Sequence, residues 1–299
     1  MDKPLPKIFK ASAQFIDQDF RFGNSKNNRL SIQLRLDGFS FAQIDSISKK
    51  VLLIEDYDVP LMLGEEADFQ NEKVNVRLED FFTEKQIHRN QYKSVHFVID
   101  NSLFTLVPSV LLDEKHAFDY LKQVHQIPEN FIVKTDAISF FETKNVYAVY
   151  APLFYNLSDY FSIFEIKHGA TVFIQQMTLL QKMQKRNAVY IEVANRSMHI
   201  IAFENEKLVF SNTFTFKEKE DFIYFILLIY NQLKFNTEDV PLFFSGNIDR
   251  SSPLYSIAYQ YIRILDFPPV GNRGLIFGNG IPESAGAKYR ILTQAVLCE

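Results

Sequence analysis

The stretch AVYIEVANRSMHIIAFENEKLVFSNTF, Ala188 to Phe214, decides how this chain is read. Apolar and polar residues alternate through it in three successive runs, the period-2 pattern of strands with one face buried. Beyond it, KEKEDFIYFILLIYNQLKF reads as a long helix, apolar at Phe222, Phe225, Ile226 and Ile229. VPLFFSG reads as a buried strand ending in Gly246. SPLYSIAYQYI and AKYRILTQAVL carry the apolar spacing of helices.

The first half repeats this grammar. After an irregular start, RLSIQLRLDGFSFAQID alternates as two strands about Asp37 and Gly38, a dipeptide suited to the positive φ angles of a tight hairpin. KKVLLIEDY is expected as a third strand, EDFFTEKQIHRNQ as a helix and SVHFVID as a compact apolar strand. A helix over EKHAFDYLKQVHQ follows, ended near Pro128, then strands AISFFE and VYAVYA and a helix near Leu153 to Phe161. Three antiparallel strands followed by helices alternating with further strands is the ribonuclease-H-like layout. Its repetition predicts an α/β chain of two tandem ribonuclease-H-like domains in an actin-like ATPase arrangement. The expected division is an irregular segment over 1–28, a first domain over 29–170 and a second over 171–299, with the boundary between Ala170 and Asn187.

Composition narrows the function. A 299-residue chain that is 47% hydrophobic and 23% charged has the balance of a globular protein. A net charge of -4 gives no basic field, so neither nucleic acid nor a membrane surface is an expected partner. The 30 Phe and 14 Tyr alternate with polar residues and lack a basic groove, which points to core rings over base-stacking platforms. The single cysteine, Cys298, forms no internal disulfide. The longest apolar run, FIYFILLIY, falls short of a membrane span, and no signal-peptide pattern opens the chain. A cytoplasmic location is expected.

RLSIQLRLDGFSFAQID, FTLVPSVLL at Phe104 to Leu112 and LFFSGNIDRSSPLYSIAYQYI at Leu242 to Ile262, taken with the hairpin at Ala188, cover most of the chain. In these stretches the chain resembles a family of uncharacterised bacterial proteins, mainly of Bacteroidetes, with an actin-like ATPase fold. The resemblance implies a fold and no activity.

The wider actin, hexokinase and chaperone ATPase superfamily sets a test for the candidate site. Its hairpins carry an Asp that orients magnesium, then a Gly that lets backbone N–H groups approach phosphate. In this chain Gln33 stands at the first Asp position and Arg35 at the Gly position. The second hairpin has Glu192, Ala194 and Ser197, with Asn195 in the turn between them. The paired glycines of the adenosine signature are reduced to Gly246 followed by Asn247. Gln33, Arg35, Glu192, Asn195, Ser197, Gly246 and Asn247 are therefore the candidate residues of a degenerate nucleotide cleft. In the blander reading Glu192 is an exposed strand-end acid, Arg35 caps a surface and Gly246 only permits a turn.

Other constellations are weaker. Gln33 also removes the first carboxylate of a ribonuclease-H-like metal pair. The six histidines have no i,i+4 pair and no Cys companions, so no zinc site is expected. EDYD at Glu55 to Asp58 and GEEAD at Gly64 to Asp68 are expected as solvated loop acids. The glycine-rich GNRGLIFGNGIPESAGAKY, Gly271 to Tyr289, is expected as a mobile surface loop without P-loop chemistry. The leading expectation is a non-catalytic interaction or scaffold protein with a protein partner and no cofactor. The alternative is a nucleotide-binding protein or weak ATPase that uses ATP with magnesium.

Overall fold

The computed structural model describes residues 9–21, 25–59, 78–88, 91–270 and 274–298. Their contacts divide the chain into two units. One comprises 1–171, 273–282 and 291–299, the other 172–272 and 283–290. The division is discontinuous, because the C-terminal residues return to the first unit. The expected division was contiguous.

The first unit is built on strands β1 (Ala13–Ile16), β2 (Asn28–Arg35), β3 (Gly38–Asp45), β4 (Lys50–Tyr57) and helix α1 (Leu78–Glu84). There follow β5 (Ser94–Asp100), β6 (Phe104–Pro108), α2 (Ala117–Lys122), β7 (Phe131–Ile138), β8 (Thr143–Tyr150), α3 (Ala151–Tyr160) and β9 (Glu165–His168). Helix α4 (Gly169–Gln184) begins in this unit and continues into the second. The second unit holds β10 (Ala188–Val193), β11 (Ser197–Glu204), β12 (Lys207–Thr215), α5 (Lys219–Gln232), β13 (Leu242–Gly246), α6 (Pro253–Tyr259) and β14 (Leu265–Asp266). The chain ends with β15 (Ile276–Phe277), α7 (Glu283–Lys288) and α8 (Arg290–Gln294).

Both main sheets share one plan. In the first unit the order runs β4-β3-β2-β5-β9, extended at the β4 edge by β1. The β2–β3 and β3–β4 pairs are antiparallel, and β5 and β9 run parallel to β2. In the second unit the order is β12-β11-β10-β13-β14, again with three antiparallel strands and two parallel ones. The expected ribonuclease-H-like layout is thus present twice. A third sheet, β6-β8-β7, is antiparallel and belongs to the first unit alone.

Alternation places the core. On β2, Leu30, Ile32 and Leu34 are fully buried and join Phe39, Tyr57, Phe81 and Phe97 in the first core. Phe39 stacks on Tyr57 at 4.9 Å, and the edge of Phe81 meets both rings. These rings pack against one another, as aromatic pairs do when they fill a core. On β10, Val189, Ile191 and Val193 face the cluster built with α5 and α6. The alternate residues face the other way, where the Tyr190 hydroxyl donates to Gln181 of α4 at 3.1 Å.

Local signals explain the helix starts. Glu218 and Asp221 form a reciprocal capping box ahead of α5. Ser252 caps α6, with Pro253 in its first turn.

Four expectations need correction. The hairpin at Asp37 and Gly38 is present, but Arg35 pairs with Gly38, so Leu36 and Asp37 form the turn. Neither Asp37 nor Gly38 has positive φ. Gly38 is needed for space, since a Cβ there would lie 2.0 Å from the carbonyl oxygen of Tyr57. The strand expected over AISFFE ends at Ile138, and Phe140 sits in the turn with φ 81. The units divide after residue 171, inside the stretch from Ala170 to Asn187 where the boundary was expected, and residues 169–184 form a long helix whose buried face includes Gln175, Gln176 and Gln181, polar residues that hide its periodicity. Glu55 and Asp56 are buried strand residues, not loop acids. The glycine-rich stretch carries β15, which pairs parallel to β4, and helix α7. GEEAD lies outside the described residues, as do residues 271–273 of the glycine-rich stretch.

Candidate functional site

In the first unit the site is the end of the β2–β3 hairpin and the carboxyl end of β5. Strand alternation turns Gln33 to the side opposite Leu34, where its amide donates to Asp100 Oδ2 at 2.9 Å. Arg35 reaches back across β3. Its Nη2 donates to Asp56 Oδ1 at 2.8 Å and its Nε to Asp37 at 3.3 Å, while Ser40 donates to the same Asp56 oxygen at 2.6 Å. The Arg35 side chain is 17% exposed and that of Asp56 7%, so this ion pair is shielded from water. Burial pulls the guanidinium down, and Asp56, Asp37 and Asp100 more than offset it. Burial lifts the Asp100 carboxyl above the usual carboxylate range, with the Gln33 hydrogen bond and the Arg35 charge pulling the other way.

Behind Asp100 lies a buried polar network. A Cβ at Gly169 would come 2.9 Å from Asp100 Oδ1, so a larger residue where α4 starts would have to displace the Asp100 carboxyl. Asp136 accepts from the His168 N–H at 2.8 Å, from Thr171 at 2.8 Å and from the Tyr147 hydroxyl at 3.1 Å. His168 Nδ1 accepts from the Ala170 N–H, which leaves Nε2 to carry the proton toward Asn101 Oδ1 at 3.3 Å. Burial raises the Asp136 carboxyl, and its three donors act against that shift. The network joins the small sheet to the start of α4.

In the second unit the corresponding hairpin end holds Glu192, with Asn195 exposed in the turn. Ala194 N–H donates to the carbonyl of Ser197 at 2.8 Å. Glu192 is half-buried, accepts a hydrogen bond from Ser245 and faces the charge of Arg290. The expectation of an exposed strand-end acid is therefore corrected. Register explains it, because Glu192 pairs with Ser245 on β13 and their side chains share a face.

Gly246 has φ 84, and a Cβ there would lie 2.3 Å from the Val193 carbonyl oxygen and 2.8 Å from Glu192 Oε1. The Asn247 N–H donates to that same carbonyl at 2.7 Å. Arg290 is 1% exposed and donates from Nη2 to the carbonyls of Pro268 and Pro269. Burial lowers its guanidinium, and Glu192 raises it.

Gln33 and Arg35 thus belong to the first unit and the other five candidates to the second. Within the second, Glu192, Gly246 and Asn247 converge, and Ser197 and Asn195 flank the hairpin turn. Sequence reasoning missed Asp100, Asp56 and Ser40 around Gln33 and Arg35, and Ser245 and Arg290 around Glu192. Strand-end acids such as Asp100 are visible in the sequence, but their partners are not. Among the described residues no group of three His, Cys, Asp or Glu could hold a metal ion, and no helix is long and apolar enough to cross a membrane.

Residues 17–265 match the sequence pattern of a family described as a protein of unknown function, DUF3822. The chain belongs to that family. A DUF3822 chain of this architecture is similar to a Bacteroides thetaiotaomicron protein described as having an actin-like ATPase fold and unknown function. The two superpose with a TM-score of 0.76 at 22% identity, covering 94% of this chain and 99% of the other. It is also similar to a chain of the PilM–PilN type IV pilus biogenesis complex, with a TM-score of 0.57 at 10% identity over 90% of this chain and 97% of that one. These likenesses show that this DUF3822 protein has an actin-like ATPase fold. Comparison with curated protein sequences finds no match.

Proposed function

We propose that this chain is a non-catalytic interaction protein that keeps the actin-like fold without its phosphate chemistry. The observation that carries the reading is Arg35. A long side chain stands where the superfamily pattern has glycine, and it is tied to Asp56, Asp37 and Ser40 within its own sheet. Releasing it for a phosphate would leave the shielded Asp56 carboxylate without its cation, a cost of about 2 kcal/mol. Gln33 offers magnesium no charge and is engaged by Asp100. Glu192 is held by Ser245, and Ala194 replaces the second glycine. The residues present do not fit magnesium-ATP.

A protein partner and a cytoplasmic location are parts of this proposal. The PilM–PilN complex gives a precedent for a chain of this fold in a protein assembly. Titration calorimetry and thermal melts with magnesium-ATP test the reading. The expected result is no binding heat beyond dilution and no shift in melting. Micromolar affinity, or phosphate release that Glu192→Gln abolishes, would overturn it.

A further inference from the structure

The buried network behind Asp100 holds a tyrosine hydroxyl with one proton and two acceptors. Tyr147 on β8 is fully buried, and its hydroxyl oxygen lies 3.1 Å from Asp136 Oδ1 and 3.4 Å from the carbonyl oxygen of Ile166. Asp136 belongs to β7, the hairpin partner of β8, whereas Ile166 belongs to β9 of the main sheet. A single O–H cannot donate fully to both. The other carboxyl oxygen, Oδ2, accepts from the His168 N–H and the Thr171 hydroxyl, each at 2.8 Å, and Thr171 itself accepts from Asn145 at 3.0 Å. A second proton, carried on Asp136 Oδ1, would turn both contacts of the Tyr147 oxygen into hydrogen bonds.

We propose that Asp136 is a proton-operated latch between the small sheet and β9. When it is protonated, its Oδ1–H donates to the Tyr147 hydroxyl, which donates in turn to the Ile166 carbonyl and ties β8 to β9. When it is ionised, that proton has gone to solvent, the Tyr147 hydroxyl donates to Asp136 within the hairpin, and the tie to Ile166 is lost. Oδ2 keeps the His168 N–H and the Thr171 hydroxyl in both forms. Among the charged groups nearby, Lys167 on β9 favours the ionised form. Lys134 on β7 lies over the Phe154 ring at 4.0 Å, Lys144 on β8 pairs with Glu114, and Glu165 on β9 lies beside His96. His168 has both ring nitrogens engaged, the first turn of α4 carries no charge, and Asp100 is set against Gly169 at the same helix start. Burial opposes the charge and raises the Asp136 carboxyl, against its three donors and Lys167. A folded value above the ordinary 3.8 means that the folded chain keeps a proton the unfolded chain releases. The stability of the latch is thus complete below 3.8 and is lost as pH rises through the folded value. The inference does not depend on whether the chain binds nucleotide or protein.

Two measurements test it. Carboxyl carbon NMR of aspartate-labelled protein, with Asp136→Asn identifying the signal, gives the midpoint of Asp136. Hydrogen exchange from about pH 4 to about pH 8, corrected for the intrinsic rate at each pH, reads the latch in β7 and β8 against β2 and β3. Asp136 is expected to titrate above 3.8. Amide protection in β7 and β8 is expected to fall about fivefold across that midpoint, the change that one net hydrogen bond makes, while β2 and β3 stay level. Asp136→Asn imitates the protonated acid, since its amide donates to Tyr147 while its oxygen still accepts from His168 and Thr171. It is expected to hold the low-pH protection throughout, although Asp100 still titrates in that variant. Tyr147→Phe removes the relay, so Asp136 is expected to titrate with no accompanying change in protection. Melting curves confirm that each variant folds. A midpoint at or below 3.8, protection that stays level through the midpoint, or a fall that persists in either variant would overturn the proposal.

Discussion

In the first unit the opening hairpin ends in Gln33 and Arg35, which are tied to Asp100, Asp56 and Asp37. In the second the hairpin ends in Glu192 and Ala194, with a hydroxyl from Ser245 and a glycine of positive φ beside them. The registers correspond. Gln33 faces Ser40 across its hairpin, and Glu192 faces His199 across the other. Ser40 is part of the Arg35–Asp56 ion pair, while His199 is buried against Phe173 and bonded to Ser211 at 2.9 Å. One strand order therefore supports two sheet ends of different chemistry. Backbone pairing holds the topology, and the side chains at the strand ends are free to vary around it.

The largest effect expected from breaking this comparison is at Gly246. The register places Ile99 of β5 where β13 has Gly246, so only the second unit ends this strand on a left-handed residue. Gly246→Ala adds a clash with a backbone carbonyl to a strained φ. It is expected to cost roughly 3 kcal/mol or more in chemical denaturation. A loss below about 1 kcal/mol would show that the turn relaxes freely.

His199 gives the next effect, and it depends on pH. Burial lowers its imidazole to about 3, against an ordinary value of 6.5. Between these values the unfolded chain binds a proton that the folded chain refuses. The stability from the neutral ring is thus complete above 6.5 and is lost as pH falls toward 3, at about 1.4 kcal/mol per pH unit at most. His96 in the first unit is also lowered by burial, but Glu165 pulls it back. Denaturation at a series of pH values should show His199→Gln flattening the acid limb, and an unchanged slope would place the acid sensitivity elsewhere.

Arg35→Ala is expected to cost about 2 kcal/mol, because it leaves Asp56 shielded without its cation. Adding Asp56→Asn should recover part of the loss. If the two changes simply add, the ion pair does not hold the hairpin end.

Glu192→Gln should have the smallest effect, about 1 kcal/mol in thermal melts. The amide oxygen still accepts from Ser245, while Arg290 loses an opposing charge. No change at all would make Glu192 energetically equivalent to a solvent-facing acid.

The hairpins at Leu30 and Ala188, the buried strand over SVHFVID and the helix after Phe216 were legible because period-2 and 3.6-residue patterns are local. Helix α4 was not. A helix buried on most sides, with glutamines among its buried residues, has no polar face to mark its period. The candidate site was half legible. Gln33, Arg35 and Glu192 could be found from their place in a hairpin, but whether they face water or a partner could not.

By itself the sequence determined the succession of strands and helices and the duplication of one layout, because alternation and capping act over a few residues. The tertiary structure alone decided that Arg35 closes on Asp56, that Glu192 meets Ser245 and that the C-terminal residues return to the first unit. Each of these joins positions at least about twenty residues apart, brought together by strand register. Register follows from the whole sheet's burial and from no short stretch of the chain.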